Sequence, residues 1–201
     1  MNKERLTAFS DGVFAIIITI MVLELKAPEG AEWRALAPLA PTFLAYALSF
    51  AYVAIYWNNH HHLLQATRAV SGAILWANMA LMFCLSLVPF STAWLSATRF
   101  ASAPVTLYGV TLLAPGVAYF VLSQMLIKTG ALEARSAEAI GADRKGKISV
   151  LLYVAGIGLG LVAPLAATGI YALVALMWLA PDRRIEAALT AAADDEPPGS
   201  A

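Results

Sequence analysis

Few side chains in this sequence can do chemistry, and they gather in three short stretches. Arg5, Phe9, Ser10 and Asp11 stand at the head of RLTAFSDGVFAIIITIMVLELK, residues 5–26. Asn58 to His62, reading NNHHH, close a second apolar run, and Asn78 lies early in a third. A carboxylate, an imidazole and an amide can act as base, proton relay, metal ligand or hydrogen-bond junction. The metal reading fails on geometry. His60, His61 and His62 are consecutive, so on a helix they point about 100° apart and cannot converge on one ion. No other histidine exists, and one imidazole with one carboxylate leaves a metal short of ligands. Cys84 is the only cysteine and sits in an apolar run, so no disulfide or thiolate framework is available. There is no nucleophile elbow, HExxH or phosphate-cradling glycine loop. The sequence therefore predicts neither an enzyme nor a bound cofactor.

The elements that must position these residues are membrane spans. The chain has 201 residues, 60% of them hydrophobic and 13% charged, with zero formal net charge. A soluble domain is near half apolar and a quarter charged, so this is a membrane composition, and zero net charge gives no nucleic-acid footprint. A helical span takes about 20 apolar residues. The candidates are 8–26, 39–61, 73–95, 104–127, 148–164 and 166–180, the last two a tight hairpin around Pro164. The reading is an all-α membrane protein with one six-helix domain over residues 1–186, then a polar tail over 187–201 expected to be disordered. Asp11 interrupts the first run early and no small-residue cleavage site follows it, so that run is expected to be retained rather than removed as a signal. With six spans, ten of the thirteen basic residues fall on one side: Lys3, Arg5, Arg68, Lys128, Arg135, Arg144, Lys145, Lys147, Arg183 and Arg184. The positive-inside rule places that side, with both termini, in the cytoplasm.

Membrane-embedded polar groups are functional candidates by default, because inserting them is costly. The second span runs inward and the third starts inside, so Ser10, Asp11, a histidine and Asn78 reach one depth from three helices. A charged Asp11 needs a donor, which His60 or Asn78 could supply. On the wheel of the first helix, Ile16, Ile20 and Leu23 form a narrow stripe flanked by Gly12 and Thr19, and Ser10 and Asp11 point about 120–140° away from Ile16. That stripe faces either lipid or a pore.

Arg5, Phe9, Ser10 and Asp11, followed by GVFAIIITIMVLEL, resemble the signature of one membrane family: the bacterial homologues of the endolysosomal potassium channel, transmembrane protein 175. The likeness continues through Trp57 and His60, Leu75-Trp76 and Asn78, Pro89-Phe90-Ser91-Thr92, Trp178 and Pro181, and Arg184-Ile185-Glu186. It implies six helices per subunit, a homotetramer, and a central pore lined by the first helix. The family has no P-loop filter, and Tyr108-Gly109-Val110 falls inside a predicted span. Its constriction residue carries over to Ile16, further apolar rings to Ile20 and Leu23, and a hydroxyl layer to Thr19. Its polar network carries over to Arg5, Phe9, Ser10, Asp11, His60 and Asn78. Arg5 could equally anchor to headgroups.

The expected function is a potassium-permeable cation channel of the bacterial plasma membrane, weakly selective for K+ over Na+, gated by a dewetting apolar ring. Its partners are monovalent cations, the lipid bilayer and other copies of itself. Glu24 either concentrates cations at the outer mouth or is an ordinary interfacial acid. Gly156-x-x-x-Gly160 is a close-packing motif assigned to the last hairpin. The rival readings are a proton-coupled secondary transporter using Asp11 and His60 as a relay, and a scaffold that carries no flux. Against the transporter, there are no broken helices paired across an internal repeat.

Overall fold

The computed structural model describes residues 2–132 and 144–179 and is all helix apart from one isolated bridge, Thr67 to Leu132. The predicted tail, the last residue of the final span, Arg135, Arg183 and Arg184 lie outside the described residues. The helices are α1 (Lys3–Leu23), α2 (Ala40–Gln65), α3 (Gly72–Ser86), α4 (Val88–Ala97), α5 (Ser102–Lys128), α6 (Arg144–Gly160) and α7 (Pro164–Leu179). A 3-10 turn over Trp33–Leu39 leads into α2. Four stretches are long and apolar enough to cross a bilayer: α1, the 3-10 turn with α2, α3 with α4, and α5. The final hairpin, α6 and α7, has 17 and 16 residues and is shorter than a full span.

Several boundaries differ from expectation, two of them for a clear local reason. α1 begins at Lys3 instead of residue 8, because the Asn2 side chain accepts the Glu4 backbone N–H at 2.9 Å and caps the helix there. Ser10 and Asp11 consequently lie two turns inside α1. The helix stops at Leu23, so Glu24 is its exposed C-terminal cap. The third span breaks at Leu87 into α3 and α4, because Pro89 has no N–H to give to the carbonyl of Leu85. Ser91 and Thr92 turn their hydroxyls back onto the carbonyl of Val88, at 3.0 and 2.7 Å.

The buried residues form two clusters. One joins Phe14, Ile17 and Met21 of α1 to Ile74, Leu81 and Leu85 of α3 and Leu122 and Leu126 of α5. The other joins Tyr52 of α2, Tyr108 and Leu112 of α5, Tyr153 of α6 and Tyr171 of α7. Most of the hydroxyls that would be costly in an apolar interior are paired there, the Tyr171 hydroxyl being the exception among the described residues. Ser49 is bonded to both Thr92 and Tyr108, at 2.7 and 2.8 Å, and the Tyr52 hydroxyl donates to the carbonyl of Tyr171 at 2.5 Å. On the basic side, Lys3 donates to the carbonyl of Gln65 at 2.8 Å and the Arg68 backbone N–H to that of Ala131 at 2.8 Å, closing the ends of α1, α2 and α5 together.

The Gly156/Gly160 motif serves more than the hairpin. Gly156 faces Tyr171 of α7, whereas Gly160 lies against Thr106 of α5, and Gly109 of α5 forms the other side of the notch that receives the Tyr171 ring. A Cβ at position 156 would stand 2.5 Å from Tyr171 Cε1, while one at position 158 would meet nothing within 4 Å. Gly156→Ala should therefore destabilise the protein by about 1–3 kcal/mol through overpacking. Gly158→Ala should be neutral or gain up to about 1 kcal/mol from helix propensity. Thermal unfolding of the two variants in detergent measures the contrast.

Candidate functional site

α1 presents three faces, and each does something different. Leu6, Ser10, Phe14, Ile17 and Met21 are buried against the rest of the chain. About 130° around the wheel, Phe9, Gly12, Ile16, Thr19, Ile20 and Leu23 point outward, with Ile16 58% and Leu23 75% exposed. Asp11 stands on the third face, about 100° from the buried stripe in the other direction. A helix whose apolar side chains are exposed on a contiguous face must find another apolar surface or the bilayer for it.

The buried face is held by a hydrogen-bonded junction among three helices. Asn78 and Ser10 are both fully buried. The Asn78 amide donates from Nδ2 to Ser10 Oγ at 3.0 Å, and Ser10 Oγ donates in turn to the carbonyl of Leu6 at 2.9 Å. On its other side, Asn78 Oδ1 lies 2.7 Å from Nε2 of buried His60. A carboxamide oxygen can only accept, so His60 is the donor through Nε2. The His60 ring also packs against Phe14, with 5.7 Å between centroids. Side-chain bonds of this kind between membrane helices contribute roughly 0.6–2 kcal/mol each.

Asp11 lies outside that junction. Its Oδ1 accepts the indole N–H of Trp57 at 2.9 Å, so its donor comes from α2 but is neither His60 nor Asn78. Trp57 stacks on His61, and His61 meets His62 edge-on. The three histidines thus take three separate environments, as the wheel requires. Arg5 and Phe9 are exposed and make no hydrogen bond or ion pair with the junction; it is the family resemblance that groups them with it, Arg5 having the alternative of a headgroup anchor. Trp57 is the residue that reading left out of the site. Its signal was present in the sequence: it stands three positions before His60, on nearly the same helical face.

No group of three or more metal-ligating side chains occurs among the described residues. Tyr108, Gly109 and Val110 lie in the middle of α5 and form no loop. Asp11 and His60 are not bonded to each other, and each spends its polar atoms on a different partner. The chemistry this arrangement supports is positioning: it sets the rotation of α1.

Comparison with known proteins adds four findings. The family model for the endosomal/lysosomal potassium channel TMEM175 matches residues 5–89, which run from α1 into the start of α4. A potassium channel of Chryseobacterium sp. (strain P1-3) is 52% identical over 189 residues, covering 94% of this chain and 98% of the relative. The human endosomal/lysosomal proton channel TMEM175 is 40% identical over 86 residues, which cover 35% of this chain and 17% of the human protein. Among solved structures, a crystal structure of a lysosomal potassium-selective channel TMEM175 homologue from Chamaesiphon minutus superposes with a TM-score of 0.78 at 27% identity, covering 88% of this chain and 96% of that one.

Replacing Asn78 by Leu leaves both Ser10 and His60 without their shared partner in a buried site. The variant should lose about 2–4 kcal/mol, the sum of two desolvated groups at the low end of the usual range. Trp57→Phe removes only the bond to half-exposed Asp11 and should cost about 1 kcal/mol or less. Thermal unfolding in detergent distinguishes them; equal losses would show that Asn78 is not the junction.

Proposed function

This chain belongs to the TMEM175 family of potassium channels, and from that premise we propose how it conducts. It is a membrane channel and not an enzyme, and potassium is its permeant ion. Its full-length relative from Chryseobacterium is named a potassium channel. The proton name belongs to a human protein that this chain matches over a third of its own length.

Four copies assemble around a central axis, each contributing the exposed face of α1. The observation that carries this reading is the division of labour on that helix. Two faces are committed to Asn78, His60 and Trp57, while Ile16, Ile20 and Leu23 are left outward in one line with the Thr19 hydroxyl beside them. Thr19 Oγ donates to the carbonyl of Ile16 at 2.9 Å, so its lone pairs are free to face a passing cation. Four Ile16 side chains make a narrow apolar ring that resists wetting, and the pore closes when the ring dries. An ion crossing it sheds part of its water. Potassium, with the lower charge density, sheds water at less cost than sodium, which yields weak selectivity compared with a carbonyl-lined filter.

The basic residues at the ends of α1, α2, α5 and α6 support an orientation with that side of the subunit, and both termini, in the cytoplasm of a bacterial plasma membrane. Exposed Glu24 then stands at the outer end of α1, where four copies would enrich cations at the mouth.

Ile16→Asn should wet the ring, raise single-channel conductance severalfold and bring the K+/Na+ permeability ratio close to one, as read by recordings from reconstituted protein. Unchanged conductance and selectivity would remove Ile16 from the constriction. Oligomeric mass in detergent should be that of four subunits; a monomer or dimer defeats the pore. Liposome flux should follow the K+ gradient without saturation. Flux that saturates and is driven by a pH gradient would favour the carrier built on Asp11 and His60.

A further inference from the structure

A cavity of about 510 Å³ opens between α2, α5 and α6, with Trp178 of α7 at its rim. That volume is in the range of small-molecule sites. None of its described walls comes from α1, α3 or α4, so it lies apart from the face of α1 assigned to ions. Pro115 and Gly116 make room for it. Pro115 leaves the Thr111 carbonyl without its helical donor, and Gly116, which lines the cavity, presents no side chain there.

The walls are graded along their length. Toward the middle of α5 they are apolar, with Leu113, Val117 and Phe120 facing Leu151 of α6. At the basic end the lining becomes polar, with Asn59, Gln124 and Lys147. The Gln124 side chain is half-buried and makes no hydrogen bond to the described residues, and Lys147 and Arg144, one turn apart on α6, are exposed and form no ion pair with the described residues. Trp178 is fixed at this end by its indole N–H to Ser149 Oγ at 2.8 Å, with Lys145 over its ring. A tryptophan beside basic side chains marks the level of the lipid headgroups. From Gln124 to Leu113 is eleven residues of helix, about 16 Å, or half of a hydrocarbon core about 30 Å thick. The groove is therefore one leaflet deep, apolar inside and basic at its mouth.

We propose that this groove is a binding site for an anionic phospholipid of the leaflet on the basic side: one acyl chain lies along α5, and the phosphate is met by Lys147, Arg144 and the Gln124 amide. The assignment rests on the chain being embedded in a bilayer and not on which ion it conducts.

Native mass spectrometry of the whole channel, purified in detergent and offered phosphatidylglycerol or phosphatidylcholine of matched chain length, tests it. The wild type should retain phosphatidylglycerol preferentially. Replacing Lys147 and Arg144 by Gln, on an exposed surface where folding is not at risk, should cut that preference about fivefold per charge removed. Val117→Trp should fill the groove and release both lipids while oligomeric mass stays the same. Equal retention of the two lipids by the wild type, or a preference that survives the double Gln variant, overturns the proposal. So does a Val117→Trp variant that changes oligomeric mass but not bound lipid, since the groove would then be covered by another copy of the chain.

Discussion

The Asn78 carboxamide has one donor group and one acceptor oxygen, and it spends them on two different helices. Its N–H reaches Ser10 on α1 and its oxygen receives His60 of α2. In an apolar interior neither bond can be exchanged for water, so the three helices are locked in register and in rotation at that level. Turning α1 by a single position would swing Ser10 about 100° away from Asn78 and leave the buried Asn78 amide N–H without its acceptor. The outward direction of Ile16, Thr19, Ile20 and Leu23 follows from that lock, because they stand on the far side of the same rigid helix. Asp11 adds a second point of attachment through Trp57, nearer the surface, where a carboxylate is easier to accommodate.

The other half of the subunit is held by different means. Around Tyr52, Tyr108, Tyr153 and Tyr171 the packing depends on large rings seated against small residues, with the Tyr108 hydroxyl paired to Ser49 and that of Tyr52 to a helix carbonyl, while the buried Tyr171 hydroxyl has no partner among the described residues. Tyr171 fits only because Gly109 and Gly156 have no Cβ. Polar ties therefore orient α1, and steric fit fastens the final hairpin to α5. The lipid groove falls in this second half, beside the point where Pro115 and Gly116 thin the α5 wall. A change there need not disturb the polar junction, because none of Ser10, His60 and Asn78 lines the groove.

Much of this was legible before any coordinates, and particular residues show why. Long apolar runs with basic residues gathered at alternate ends make a membrane bundle by length and hydropathy alone. The periodicity of α1 separates Ile16, Ile20 and Leu23 from Ser10 and Asp11, since 100° per residue is a property of the helix and needs no neighbours. The depth shared by Ser10, His60 and Asn78 also follows from counting residues along alternating spans.

What counting could not supply was which atoms meet. That Asp11 pairs with Trp57 and not with His60 or Asn78, that His60 and neither of its neighbours enters the junction, and that Arg5 and Phe9 stay outside it were decided by the lateral placement and rotation of α1 against α2 and α3. Hydrogen bonds act over about 3 Å, whereas a helix can rotate or shift by more than that without altering its own sequence periodicity. The start of α1 at Asn2 and the break at Leu87 are local, and the Asn2 side chain and Pro89 account for both. The sequence by itself determined where the apolar helical runs lie and which side chains each carries on which face. Only the tertiary structure decided which faces touch, because that choice depends on contacts between residues as far apart as Ser10 and Asn78.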